Sequence, residues 1–318
     1  MKSTLFATIL LALGIAPLLA QTTEPRRELR ATQPFDNAIF SQDGQHILVL
    51  SGTQVLVYHT RTGLLLRTIE NGVRINDLAI EPNQKNLATA DQRGDLTFWN
   101  VESGQKLRSW NNFGKPIRKL RFSANGQYVA TIGTEMGVQV WSVAAGGMAF
   151  SVARNEVVRD LSFSPDNQHI ATANANNTLT VWDLQTYHPQ FVMKGHRGEI
   201  GGVCYSSDGA MLLSTATDMT TRVWNTQKGE LLKTYANEDK DAVACFDPAG
   251  QLVAVGGQTN TVVWEVASGK KLYVFANKEK TTAVAFHPKE TLLLACYDAP
   301  VARTWLLKSS PLPQTAVK

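Results

Sequence analysis

Short apolar runs recur along the chain in sets of four, and the third run of each set closes on an aromatic residue. These aromatics are Tyr58, Trp99, Trp141, Trp182, Trp224, Trp264 and Trp305, at steps of 41, 42, 41, 42, 40 and 41 residues. A second landmark runs in phase with them. Phe40, Ile80, Phe122, Phe163, Tyr205, Phe246 and Phe286 each precede a turn such as S-Q-D-G, S-P-D-N or S-S-D-G. Pro presets φ, Asp and Asn tolerate unusual backbone, and Gly relieves steric conflict, so these are tight turns. Each is followed by a run such as N-L-A-T-A or H-I-A-T-A, then a polar break, then a run such as D-L-T-F-W-N. A fourth run, such as K-L-R-S-W or L-L-K-T-Y, follows a further turn. Runs this short, bounded by turn signals, read as antiparallel strands. They are apolar on both faces, as in a sheet packed between two neighbours. Four strands repeated seven times predict an all-β, seven-bladed β-propeller with four antiparallel strands per blade. A buried Trp removes about 150–250 Å² from water, so each wedge contributes at most roughly 4–6 kcal/mol.

The strand count leaves one vacancy. The seventh repeat reaches Trp305 and then runs into a Pro-containing tail. Upstream of the first repeat, R-R-E-L-R-A-T at residues 26–32 is extended enough to form a strand. An open ring would expose two strand edges, so this N-terminal segment is expected to close the last blade. Residues 21–34 are assigned to this strand and its lead-in, residues 35–308 to the propeller, and residues 309–318 to a flexible tail.

Residues 1–20 read as a signal peptide. Lys2 supplies a short positive region, Leu5–Leu19 carries no charge, and Ala20-Gln21 is a cleavage point followed by polar residues. An uncleaved anchor is the alternative, although Gly14 and Pro17 weaken the stretch as a spanning helix. The leader resembles a bacterial export signal, which implies a periplasmic or secreted protein. The chain has 31 Lys+Arg and 27 Asp+Glu, a net charge of +4, and the leader takes only Lys2 with it. So small an excess is no nucleic-acid footprint. The three cysteines, Cys204, Cys245 and Cys296, cannot all pair and read as buried small hydrophobes.

The repeats resemble those of the WD-repeat β-propeller family in degenerate form. Trp-Asp survives at Trp182-Asp183, and becomes Trp-Asn at Trp99 and Trp224, Trp-Ser at Trp141, Trp-Glu at Trp264 and Trp-Leu at Trp305. The Gly-His that opens a family repeat stands once, at Gly195-His196. The resemblance implies a buried structural network in that repeat, formed by His196, Ser214 or Thr215, Asp218 and Trp224. The other six repeats lack the His and are expected to hold mainly by apolar packing. WD-repeat propellers also close their ring in the way the strand count suggests.

The chain carries few motifs of known chemistry. There is no G-x-S-x-G, H-E-x-x-H, phosphate-binding Gly loop or C-x-x-C. The six His residues are scattered over the repeats, so no His-ligated metal is expected, and paired carboxylates at the axis are not evident. His196, Asp218 and Ser214 mimic a catalytic triad, but the same set is the network the family resemblance implies. No catalytic residue and no cofactor are assigned.

The remaining feature is surface. Loops leading into the first strands should line one rim. Arg74, Arg118, Lys119 and Arg159 form a basic arc there, able to hold an acidic loop or carboxylate of a protein partner. The competing reading is solvated side chains paired with Glu156, Asp160 and Asp77. The function expected is a non-catalytic, monomeric interaction scaffold of the cell envelope. The alternative is a propeller enzyme or cofactor carrier of the hydrolase or quinone-dependent type, working in the central channel.

Overall fold

The structure, a computed structural model, describes residues 24–83, 85–111, 115–134 and 137–307. The leader at residues 1–20 and the tail at 309–318 lie outside them. The chain forms seven four-stranded antiparallel sheets. Blades 1 to 6 cover residues 37–70, 75–111, 117–152, 158–194, 200–236 and 243–276, each with its strands in simple sequential order. Blade 7 takes its three inner strands from Thr281–Phe286, Leu292–Tyr297 and Val301–Leu306. Its outer strand is Arg27–Arg30, which pairs antiparallel with Val301–Leu306 from Arg27↔Thr304 to Arg30↔Val301. The N-terminal strand therefore closes the ring. Leu29 is buried there, and the Tyr58 hydroxyl of blade 1 donates to the Arg30 carbonyl at 2.8 Å.

The strand patterns follow from position. Second strands are almost wholly buried, as in Leu292–Tyr297, because both faces meet neighbouring blades. Outer strands such as Leu65–Glu70 face solvent along most of their length. The aromatics that close the third strands pack between blades, Tyr58, Trp224 and Trp305 being nearly inaccessible. In blades 1 to 6 the ladder to the outer strand slips by one residue just before this aromatic, as between Val223 and Trp224. Such a bulge strengthens the local twist, which suits wedge-shaped blades. The turn into each outer strand needs a left-handed residue, met by Gly63, Gly104, Gly146, Gly229 and Gly269, and in blade 4 by Tyr187 at φ 60°.

Because each blade is a meander, the loops joining one blade to the next share a face with the turns between second and third strands. That face is called the upper one here. The opposite, lower face carries the turns at 41–45 and 60–64 of blade 1 and their counterparts. No helix among the described residues is long and apolar enough to cross a membrane.

Candidate functional site: the channel mouth and its polar girdle

The inner strands line the central channel, and a second set of bulges shapes its upper mouth. The ladder skips one residue in blades 2, 3, 4, 5 and 7, leaving Asn76, Arg118, Arg159, Gly201 and Thr282 as the extra residues. A bulge re-aims its side chain out of the ladder. Arg118 and Arg159 are thereby directed to the rim, whereas Lys119, one residue on, lines the channel cavity of about 490 Å³.

The four rim cations differ in what they touch. Arg74 Nη2 donates to Asp36 Oδ1 at 2.7 Å, tying blade 2 to blade 1. Arg159 Nη2 donates to Glu199 Oε2 at 3.0 Å, tying blade 4 to blade 5. Neither uses the partners anticipated from sequence. Arg118 is exposed and has no carboxylate partner among the described residues. It lines an open groove with Asn76, Gln92, Pro116 and Thr134. Lys119 is half-buried and bonds no carboxylate among the described residues, although its charge acts on Asp77. The arc thus divides into two cations engaged between blades and two that are available.

Below the mouth lies a feature that the sequence pattern did not announce. Asp77 of blade 2 is fully buried and accepts from Asn37 Nδ2 of blade 1 at 3.0 Å. Its other oxygen accepts from the Leu120 amide at 3.1 Å and from Arg121 Nη1 at 2.7 Å, both in blade 3. Arg121 Nη2 donates to Asp160 Oδ1 of blade 4 at 3.2 Å, and Asp160 Oδ2 accepts from the Val203 amide of blade 5 at 3.1 Å. A polar girdle so links the inner strands of five blades. Burial pushes the Asp77 carboxyl up, but the Arg121 and Lys119 charges and the Leu120 amide outweigh it and hold the group below its ordinary value. Burial also disfavours the Arg121 cation, and Asp77 and Asp160 more than restore it. Two axial carboxylates are therefore present, contrary to expectation, but each spends its oxygens on the girdle. The signal available in sequence was Asp at the third residue of the inner strand in blades 2 and 4, with Arg at the fifth in blade 3.

The blade 5 network is equally specific. Trp224 Nε1 donates to Ser214 Oγ at 2.8 Å, Ser214 Oγ meets His196 Nε2 at 2.8 Å, and His196 Nδ1 meets Asp218 Oδ2 at 2.9 Å. Ser214, not Thr215, fills the hydroxyl place. With the indole donating to Ser214, the hydroxyl proton goes to Nε2 and the imidazole keeps its proton on Nδ1 for Asp218. Burial lowers the His196 pKa despite the carboxylate beside it. Burial alone would raise Asp218, yet the Thr220 hydroxyl, the Arg197 amide and His196 bring it down to about 2. A serine whose oxygen is held by an indole inside a blade is a packing element.

The other blades do not rely on apolar contact alone. Trp99, Trp141 and Trp182 donate to Thr89, Thr131 and Thr172 at 2.9, 3.0 and 3.1 Å. In blade 2, Asn71 stands where a His would, with Nδ2 3.2 Å from Asp91 Oδ2. Blades 1, 6 and 7 carry Val49, Val255 and Ala295 at the hydroxyl place. In blades 2 to 4 the indole–threonine bond adds to the apolar packing expected there, and at the place of the His blade 7 carries Asn277, whose Nδ2 donates to the Glu279 carbonyl at 2.7 Å. The hydroxyl at the fourth residue of the second strand was legible as the T or S of A-T-A, A-T-I and L-S-T.

The sequence repeat is out of phase with the blade. The WD40 family, described as WD domain, G-beta repeat, matches residues 150–183 and 187–225. Each match opens in or just before the outer strand of one blade and ends on the third strand of the next. Two of its repeats match the WD40 family, and the chain has the fold of a WD-repeat β-propeller. Human transducin beta-like protein 3 is 32% identical over 214 residues, 64% of this chain and 26% of that protein. Human WD repeat-containing protein 18 is 27% identical over 141 residues, 40% of this chain and 33% of that protein. A mouse subunit of chromatin assembly factor 1 is 23% identical over 177 residues, 53% and 27% respectively. The chain thus spans a quarter to a third of the length of these relatives. Among the described residues, no three His, Cys, Asp or Glu converge as a metal site. All three cysteines are free. Burial pushes the Cys204 thiol in the channel wall up to about 12, which keeps it protonated at neutral pH.

Proposed function

We propose that this propeller is a non-catalytic scaffold of the cell envelope, holding an acidic segment of a protein partner at the upper mouth of its channel. The observation that carries the reading is Arg118, a bulged, exposed cation over an open groove with no carboxylate of its own among the described residues. Lys119, one residue along, supplies a second charge toward the channel. Arginine and lysine without internal partners give charge-assisted bonds to an incoming carboxylate at little desolvation cost, because the site stays wet. Arg74 and Arg159 are kept in place by Asp36 and Glu199 and frame the site. One relative carries the name of a chromatin assembly factor, which lends support to a role in assemblies. The envelope location rests on the apolar leader at Leu5–Leu19.

The test is affinity capture from envelope extracts with wild type, Arg118→Glu/Lys119→Glu and, as a control on the lower face, Lys228→Glu. Loss of captured partners in the double variant, with retention in Lys228→Glu, is expected. Identical capture by wild type and the double variant would remove this face from consideration. Fractionation of cells expressing the full chain tests the location, and recovery in the cytosol would overturn it.

A further inference from the structure

The seven blades serve as controls for one another, and blade 1 departs from them at its lower outer edge. There the chain reads R-T-G-L-L-L-R from Arg61 to Arg67. Leu64, Leu65 and Leu66 are 64%, 51% and 49% exposed. The position of Leu64 is filled by Gln105, Gly147, His188, Glu230 and Lys270 in blades 2 to 6, so blade 1 alone of these is apolar there, whereas that of Leu66 is filled by Leu107, Ala149, Gln190, Leu232 and Leu272. The fold does not require an apolar residue at the first place, nor in every blade at the second. Blades 2 and 5 also expose Leu107, Leu231 and Leu232, but behind Gln105 and Glu230.

The surroundings of the leucines are cationic. Arg61 and Arg67 flank them, and neither has a carboxylate partner among the described residues. Arg27 of the closing strand reaches across, its Nε donating to the Arg61 carbonyl at 3.3 Å. Lys289 is exposed in the lower turn of blade 7 and shares a small cleft with Arg26 and Arg61. Of the carboxylates nearby, Glu290 lies 3.6 Å from Arg26 and Asp43 is bonded by Ser41 and Gln45, while Glu102 stands exposed beside Val101, whose carbonyl accepts from Arg67.

We propose that this edge is a peripheral membrane contact, setting Leu64–Leu66 into the surface of an anionic bilayer with Arg27, Arg61 and Lys289 at the headgroups. An apolar tip ringed by cations matches the interface of such a bilayer, where hydrophobic burial and attraction to anionic lipid add. The described residues begin at Glu24 on this edge, and in the uncleaved-anchor alternative the apolar stretch ending at Leu19, eight residues before Arg27, would hold the edge within at most about 30 Å of the bilayer. Docked in this way, the protein turns its upper face and channel mouth away from the lipid. The proposal does not depend on the rim site, since the residues lie on opposite faces.

The test is flotation of the chain from Gln21 onward, which contains every described strand, with vesicles of phosphatidylglycerol and phosphatidylethanolamine and with phosphatidylcholine alone. Omitting the leader keeps its own lipid affinity out of the result. Binding to the anionic vesicles is expected, falling with salt, and weakening about fivefold for Arg61→Gln. Leu64→Gln/Leu66→Gln, which installs residues that blades 2 and 4 carry at these places, should abolish it with the unfolding temperature unchanged. Arg118→Glu should bind as wild type does. Absence of anionic-vesicle binding, equal binding to phosphatidylcholine, or full binding by the leucine variant would each overturn the proposal. So would concentration-dependent dimerisation lost in the leucine variant without vesicle binding, which would assign the edge to a second copy.

Discussion

Replacing Arg121 by Met tests whether the girdle is held by charge. The change keeps an unbranched side chain of similar length and removes the group that bridges Asp77 and Asp160. Asp77 has no exposed surface, so its carboxylate would keep only the Asn37 and Leu120 donors and the more distant Lys119 charge. Removing one partner of a buried pair costs about 3–5 kcal/mol. The Arg121 side chain is about one-third exposed, so channel water offsets part of this, and a loss of about 3 kcal/mol at pH 7 is expected. For a domain of this size that lowers the unfolding temperature by roughly 6–12 °C. The pH dependence carries a sign. In the wild type the Asp77 pKa lies below its unfolded value. Its stabilisation is present above about pH 4 and is lost as pH falls through the folded pKa. Without Arg121, burial dominates and lifts the folded pKa above the unfolded one, so the penalty is greatest at neutral pH and shrinks on acidification. Thermal unfolding followed by circular dichroism at pH 7, 6 and 5 should show the two proteins converging, and Asp77→Asn in the Arg121→Met background should restore most of the loss. A deficit below about 1 kcal/mol, or one that is constant from pH 7 to 5, would refute the charge argument.

Three further outcomes are expected. Ser214→Ala leaves the Trp224 indole and the His196 ring without their shared partner and should cost about 2–3 kcal/mol, more than the roughly 1 kcal/mol of Thr172→Val, when both are measured by urea unfolding; the reverse order would contradict the blade 5 network. The lowered His196 pKa means the unfolded chain takes up its proton first, so stability should begin to fall below about pH 6.5, with a second loss from Asp218 between about pH 4 and its folded value of about 2; an NMR titration placing Asp218 at an ordinary carboxylate value would remove the second phase. Deleting residues 21–34 exposes the Val301–Leu306 edge and removes Leu29, whose burial alone is worth about 2 kcal/mol, so calorimetry should show a sharply lower transition, and an unchanged transition would refute closure by this strand.

The repeat architecture was legible because it is a local property written seven times. The Tyr58-to-Trp305 aromatics and the turn after each first strand are set by strand length and turn chemistry, which depend on neighbours in sequence. The missing fourth strand of blade 7 could be found by counting, since a ring tolerates no free edge. The blade 5 network was legible through its His, but the indole–threonine bonds of blades 2 to 4 were overlooked because threonine in a strand ordinarily reports only β-propensity.

Spatial adjacency across the ring was another matter. Asn37, Asp77, Arg121, Asp160 and Val203 are separated by about one repeat each, and nothing in a linear reading says which of their side chains converge at the axis. Tertiary structure alone decided that Arg121 binds two carboxylates, that Arg74 and Arg159 are engaged by Asp36 and Glu199, and that Arg118 is left without a carboxylate among the described residues. Periodicity determines the blade because strand pairing is encoded within each unit. The girdle and the rim arise only when seven such units share one axis, where inner-strand residues from different blades meet at hydrogen-bonding distance.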